Sequence, residues 1–191
     1  MLRRRSQALW LWQALFVVAV AWGFLNGHLA ENAAMQRMRF VTMDSRSTFY
    51  LTSSGSFEDS REIHAELARM AAETIFGRTP DGFTAPERLE RLFNPATAAA
   101  LNKDAARDAD VFRTQQIHQS LETGAVRELA VNDNTALVSV EGQILRVGNF
   151  NGRLVNATKK VTVFLKLTLN DAMNINGRYP LVVTNMEIRY E

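Results

Sequence analysis

The chain has 191 residues, 47% of them hydrophobic, enough for one ordinary domain with a short appendage and too little for two. Its 22 Lys and Arg stand against 20 Asp and Glu, a balance that supplies no basic stripe and no electrostatic reason to expect direct contact with nucleic acid. There is no Cys, so disulfides, thiolate zinc sites and thiol chemistry are excluded together, while an oxidising compartment remains permitted.

The first element is apolar. Between Ala8 and Leu25 the only strongly polar residue is Gln13, and residues 8–30 at ~1.5 Å each cross roughly the ~30 Å of a bilayer's hydrocarbon core as a helix. Trp10, Trp12 and Trp22 lie near its ends, where an indole buries its ring and keeps its N–H wet. A cleaved signal peptide fits less well, because its apolar run is shorter and ends in an A-x-A-like site, whereas His28 stands where the first small residue should be. A buried core helix fits poorly too, since one with this many Trp and no polar face is unusual. Arg3, Arg4 and Arg5 precede the span, and Arg37 and Arg39 lie well beyond it. Positive charge stays on the cytoplasmic side, so residues 1–7 are expected to be a cytoplasmic tail, 8–30 a single transmembrane helix, and the rest to lie across the membrane. In a two-membrane bacterium that is the inner membrane and the periplasm.

Residues 31–53 read as a stalk or edge strand: 32–39 permits helix, while Phe40 to Thr52 is mixed polar and β-branched. The folded domain is then 54–191. Ser56, followed by Glu58 and Asp59, is read as the cap of a first helix whose Ile63, Leu67, Met70, Ala71, Thr74 and Ile75 recur at helical spacing before Gly77 and Pro80. A second short helix is expected over Thr84 to Phe93 with Pro86 at its start. Asn94-Pro95 opens a third, over Ala96 to Leu121, with Leu101, Ala105, Ala109, Phe112 and Gln116 as its inward stripe.

The remainder is strands. Val126 to Val131, Thr135 to Val147, Lys159 to Leu169 and Leu181 to Tyr190 are β-rich, and Asn132-Asp133-Asn134, Asn151-Gly152 and Asn176-Gly177 between them have hairpin chemistry. In the third strand Val161, Val163, Leu165, Leu167 and Leu169 alternate with Lys160, Thr162, Phe164, Lys166 and Thr168, which gives one apolar face. Val182, Thr184, Met186, Ile188 and Tyr190 repeat the pattern in the last. Helices followed by a meander of four antiparallel strands predict an α+β layer with helices on one face of a curled four-stranded sheet.

The chain shows no motif of an active site. His28, His64 and His118 have neither HExxH nor HxH spacing, and each is expected to be a solvated or boundary histidine. No nucleophile elbow, phosphate loop or dinucleotide fingerprint occurs. Glu58-Asp59 and Glu62-Glu66 belong to a helix start and an exposed helix face. No catalytic, metal or cofactor residue is assigned, and the chain is expected not to be an enzyme.

The order of parts, a basic tail, one membrane helix, then helices followed by strands, resembles the TraE/VirB-type inner-membrane components of conjugative type IV secretion systems. Leu89-Glu90-Arg91-Leu92-Phe93-Asn94-Pro95 leading into a long helix is similar to that family's passage between helices, and the pair Val138–Val147 with Lys160–Leu169 resembles its central hairpin. The VirB-type proteins carry an Asn-Pro-x-Gly turn before a late strand, where this chain has Tyr179-Pro180-Leu181 with Asn176 and Gly177 ahead. The resemblance implies a cystatin-like or nuclear-transport-factor-like periplasmic domain without a cofactor. It also implies a homo-oligomer that helps scaffold the secretion channel with other inner-membrane and periplasmic subunits.

One surface follows from the alternation itself. Phe164 stands on the polar face between Lys160 and Lys166, and an aromatic with charged neighbours is the usual composition of an interface anchor. These three are the candidate partner-binding residues. Two other function classes stay open: a ligand-binding or sensory domain, if a pocket with convergent polar groups exists, and a periplasmic hydrolase or isomerase, if a buried carboxylate or histidine lies inside the cone.

Overall fold

A computed structural model describes residues 16–23, 26, 41–43, 49–51, 57–58, 60–150 and 152–191. The chain divides into two units, residues 1–40 with 51–56 and residues 41–50 with 57–191. In the first, residues 16–23 are helical (α1), and Phe16, Val17, Val18 and Trp22 expose 62–71% of their surface. Among the described residues no helix is long and apolar enough to cross a membrane; most of the span expected over 8–30, its basic flank at Arg3 to Arg5 and the region 32–39 lie outside them. Two short strands, β1 (Val41–Met43) and β2 (Phe49–Leu51), form a two-stranded sheet.

The second unit includes β1 and Phe49 and Tyr50 of β2, and from Phe57 it leads into helix α2 (Arg61–Phe76), whose N-terminal boundary residue is Ser60 rather than Ser56. Leu67, Ala71, Thr74 and Ile75 of the expected stripe are buried, joined by Ala68, Ala72, Phe76 and His64. The hairpin β3 (Arg78–Thr79) and β4 (Gly82–Phe83) turns the chain into α3 (Pro86–Leu92), α4 (Pro95–Arg107) and α5 (Ala109–Thr114). Long strands β5 (His118–Asn132), β6 (Thr135–Phe150) and β7 (Arg153–Leu169) follow, then the one-turn helix α6 (Met173–Asn176) and β8 (Leu181–Tyr190). The fold class is α+β as expected, but the antiparallel sheet has six strands in the order β4-β3-β5-β6-β7-β8, not four. The four long ones match the expected set; the extra two are the two-residue strands of the β3–β4 hairpin, too short to leave a period in the sequence.

Three further expectations are corrected. The third helix does not run to Leu121: α4 ends at Arg107, α5 at Thr114, and Gln116 adopts φ 48° before β5 starts at His118. Gln116 is exposed, so the stripe ends at the buried Phe112. Asn176-Gly177 makes no hairpin turn; it ends α6, with Gly177 in the left-handed region at φ 63°.

The last correction concerns β8. Its pairing with β7 slips by one residue, since Lys166 faces Asn185 but Leu167 faces Val183. Thr184 is the extra residue, and a bulge of this kind inverts the alternation beyond it. Leu181 and Val183 therefore point inward on one side of it, and Met186 and Ile188 on the other, paired with Leu165 and Val163. The cause lies in the capping of α4. Asn94 Oδ1 accepts from the Thr97 N–H at 2.7 Å, as an N-cap should, while Asn94 Nδ2 at 3.4 Å and Thr97 Oγ1 at 3.1 Å donate to the carbonyl of Thr184. One cap thus satisfies a helix end and holds the bulge.

Strand β5 bulges twice against β6, between Thr123 and Val126 and between Glu128 and Ala130. Opposite the first of these Gly142 lies so close that a Cβ would meet the Glu122 carbonyl oxygen at 2.8 Å, which only glycine permits. Bulges of this kind curl a sheet, and α2, α3 and α4 pack inside the curl. Val138, Val163, Leu165, Leu167, Leu181 and Val183 line the inner face with no exposed surface.

Candidate functional site

The curl leaves a cleft of about 560 Å³ between the sheet, including β4 at its edge, and helices α2 and α4. Its walls include Ile75, Phe76, Phe83, Leu101, Met186 and Ile188, and its polar lining includes Arg78, Asp108, Gln119 and Arg146. Arg78, from β3, holds the break between α4 and α5: Nη2 donates to the Ala105 carbonyl at 2.9 Å and lies 2.8 Å from Asp108 Oδ1, and Nη1 donates to Asp108 Oδ2 at 3.1 Å. Its guanidinium carbon stands 3.9 Å from the centre of the Phe112 ring. Arg146, from β6, is 5.4 Å from the same ring and donates through Nε at 3.0 Å and Nη2 at 2.6 Å to Gln119 Oε1. Gln119 passes the contact on, its Nε2 donating to the Phe76 carbonyl at 3.1 Å. Both guanidinium groups are thus engaged in tying α2, the α4–α5 junction and the sheet together around Phe112. Asp104, at the cleft wall, pairs with Arg107 at 3.0 Å. The cleft is an apolar space with a tethered polar floor.

A second polar group lies under α2. His64 is fully buried, correcting the expectation of a solvated histidine, and its Nδ1 is 2.7 Å from Glu128 Oε2 on β5. The Phe57 ring centre is 4.4 Å away, and Nε2 is buried without a hydrogen-bond partner. The pair ties α2 to β5 between that strand's two bulges. Glu128→Ala removes the acceptor of a buried donor, so the domain should lose about 1–3 kcal/mol in urea unfolding; an unchanged midpoint would show the pair to be idle. His118 is exposed, and His28 lies outside the described residues. Among the described residues no group of three or more His, Asp or Glu side chains is placed to hold a metal ion.

The partner-binding candidates occupy the other side of the sheet. Lys160 and Lys166 are exposed and Phe164 is half-buried, all at even positions of β7 and so on the face opposite Val161, Val163 and Leu165. Phe164 stands across from Ser139 on β6 and Glu187 on β8, with the Arg189 guanidinium 4.7 Å from its ring centre. It is therefore part of a row across the sheet, with a cation over its ring and the buried Ser139 beside it. Leu137, 37% exposed, stands across from Lys166 on the same face, and Leu129, 50% exposed, is the extra residue of a β5 bulge, where simple alternation does not assign a face.

No family model matches the sequence, and no curated protein does. Among solved structures, an IcmL-like type IV secretion system protein from Legionella pneumophila aligns at TM-score 0.54 and 14% identity, over 72% of this chain and 96% of that one. CagV, a VirB8 homologue of the type IV secretion system from Helicobacter pylori, aligns at TM-score 0.50 and 9% identity, over 68% and 98%. A periplasmic fragment of TraM gives 0.48 at 11% identity, over 71% and 98%. The likeness to the first two is one of fold, and the domain that follows the N-terminal segment has the fold of these secretion-system proteins.

Proposed function

We propose that this chain is a structural subunit of a type IV secretion complex for conjugative DNA transfer. In this reading it is anchored in the inner membrane by residues 8–30 and carries residues 54–191 in the periplasm. It assembles there with further copies of itself and with other subunits, and performs no catalysis. The observation that carries the proposal is the likeness of fold to CagV and the IcmL-like protein, each matched over nearly its whole length. The exposed apolar helix at 16–23 supports the anchor.

Deleting the gene from a strain that carries it beside a conjugative system should abolish plasmid transfer, with recovery on supplying the wild-type chain; undiminished transfer sinks the proposal. Alkaline phosphatase fused after Glu191 should be active, and the membrane form should keep Met1, whereas a chain starting near Glu31 would show a cleaved signal.

Assembly is expected to use the outer face of β7. Phe164→Ser should leave the melting temperature of the domain within a few degrees of wild type, because the side chain is only half-buried, while crosslinked oligomers and transfer both fall. Unchanged oligomers and transfer would remove Phe164, Lys160 and Lys166 as partner contacts.

The cleft favours one other reading, a ligand-binding or sensory domain, since its volume falls within the range of small-molecule sites. A bulky substitution at its wall, Met186→Trp, separates the two: a scaffold keeps transferring plasmid with the cleft filled, and a ligand-gated subunit does not.

A further inference from the structure

Strand β7 outruns its neighbour. Its pairing with β8 ends at Val161 opposite Tyr190, and the last main-chain contact on that side is the Glu191 N–H donating to the Lys160 carbonyl at 3.2 Å. On its other side β7 continues to pair with β6 as far as Arg153 opposite Phe150. Among the described residues, then, the edge of β7 from Arg153 to Lys159 has no strand beside it. All of these side chains are exposed, Leu154 by 81% and Val155 by 42%.

Natural sheets protect such edges with a central charge, a proline or a bulge. Residues 154–158, Leu-Val-Asn-Ala-Thr, contain no charge and no Pro, and the pairing with β6 runs without a register shift. Charge is placed only at the two ends, Arg153 at one and Lys159 with Lys160 at the other. From Gly142 to Asn170 the chain contains no Asp or Glu at all. An uncharged, unbulged edge bracketed by cations suits an extended strand bracketed by carboxylates, added by main-chain hydrogen bonds and placed by its charges. It suits a second copy of this chain poorly, because antiparallel self-pairing centred on Asn156 sets Arg153 against Lys159.

We propose that the edge of β7 from Arg153 to Lys159 is a docking site for an extended segment of a partner protein. That segment carries acidic residues six positions apart and β-branched residues between them. The proposal stands on the edge and its charges, independently of the secretion reading.

The probe is a fluorescently labelled peptide, Glu-Val-Thr-Val-Thr-Val-Glu, titrated against the full chain. Saturable binding is expected, weakened about tenfold or more when Lys159→Glu and Lys160→Glu are combined, and likewise by Leu154→Lys, a gatekeeper at an exposed position that leaves the fold untouched. The same peptide N-methylated on every residue from its second to its sixth, which removes the donors of both strand edges, should not bind. Because the chain has no Cys, Asn156→Cys gives a unique thiol, which should form a disulfide by exchange with a peptide whose central Cys is activated as its thionitrobenzoate mixed disulfide, releasing thionitrobenzoate. Equal binding of the N-methylated peptide, or none by either, overturns the proposal. So does an Asn156→Cys variant that crosslinks to itself in preference to the peptide, which would make a second copy the occupant. Binding of the full chain to phosphatidylglycerol vesicles that Lys159→Glu combined with Lys160→Glu weakens, without binding of the peptide, would assign the charges to lipid and overturn it as well.

Discussion

Leu165→Asp should abolish cooperative folding of residues 54–191. Leu165 has no exposed surface and lies between Val138 on β6 and Met186 on β8, in the middle of the inner face that α2 to α4 cover. A carboxylate there has no cation within the apolar layer, and burying it unpaired costs several kcal/mol, comparable with the ~5–15 kcal/mol stability of a whole domain. The control is on the same strand. Leu154→Asp, at a position 81% exposed, should move the transition by no more than about 0.5 kcal/mol. Circular dichroism melts of the two variants should therefore differ between no transition and a normal one. Two similar melts would mean that the faces of β7 are assigned wrongly.

That contrast was legible in the sequence because β7 carries only one irregularity, and it falls on β8 rather than on β7 itself. From Val161 to Leu167 every odd residue is buried, so a period of two read directly as two faces. The same reading failed in β8, where the extra residue Thr184 inverts the phase. Nothing local signals it, since the bulge is fixed by Asn94 and Thr97 about ninety positions earlier. The α4–α5 break was missed for a related reason. Leu101, Ala105, Ala109 and Phe112 keep helical spacing across it, and what interrupts the helix is Arg78 from β3 binding the Ala105 carbonyl and Asp108. Tertiary contacts override a local pattern in both places.

His64 was different, because the signal was present. It lies three and four residues before Leu67 and Ala68 and seven before Ala71, all buried on one side of α2. Its position predicted burial although its residue type did not. Its partner Glu128 lies between the two bulges of β5 and was invisible for the same reason as Thr184. The candidate surface at Phe164 was found from alternation alone, whereas the free edge of β7 needed the pairing register, because a sequence shows where a strand runs but not how far its neighbour accompanies it.

Phe112→Ala should be the second most damaging change. Its ring is 2% exposed, and removing a buried Phe costs about 3–5 kcal/mol through lost contacts and the cavity left behind. Here the loss also reaches polar groups. The Arg78 guanidinium, only 11% exposed at the side chain, lies against the ring at 3.9 Å; without the ring it keeps Asp108 and the Ala105 carbonyl but loses the surface that positions it over them. A double-mutant cycle with Arg78→Met isolates this part. If stacking contributes, the two changes together should cost about 0.5–2 kcal/mol less than the sum of each alone. Additive costs would mean that Phe112 fills space and Arg78 acts only through Asp108 and Ala105. A Phe112→Ala chain within about 1 kcal/mol of wild type would contradict the central place given to this ring between α2, the α4–α5 junction and the sheet.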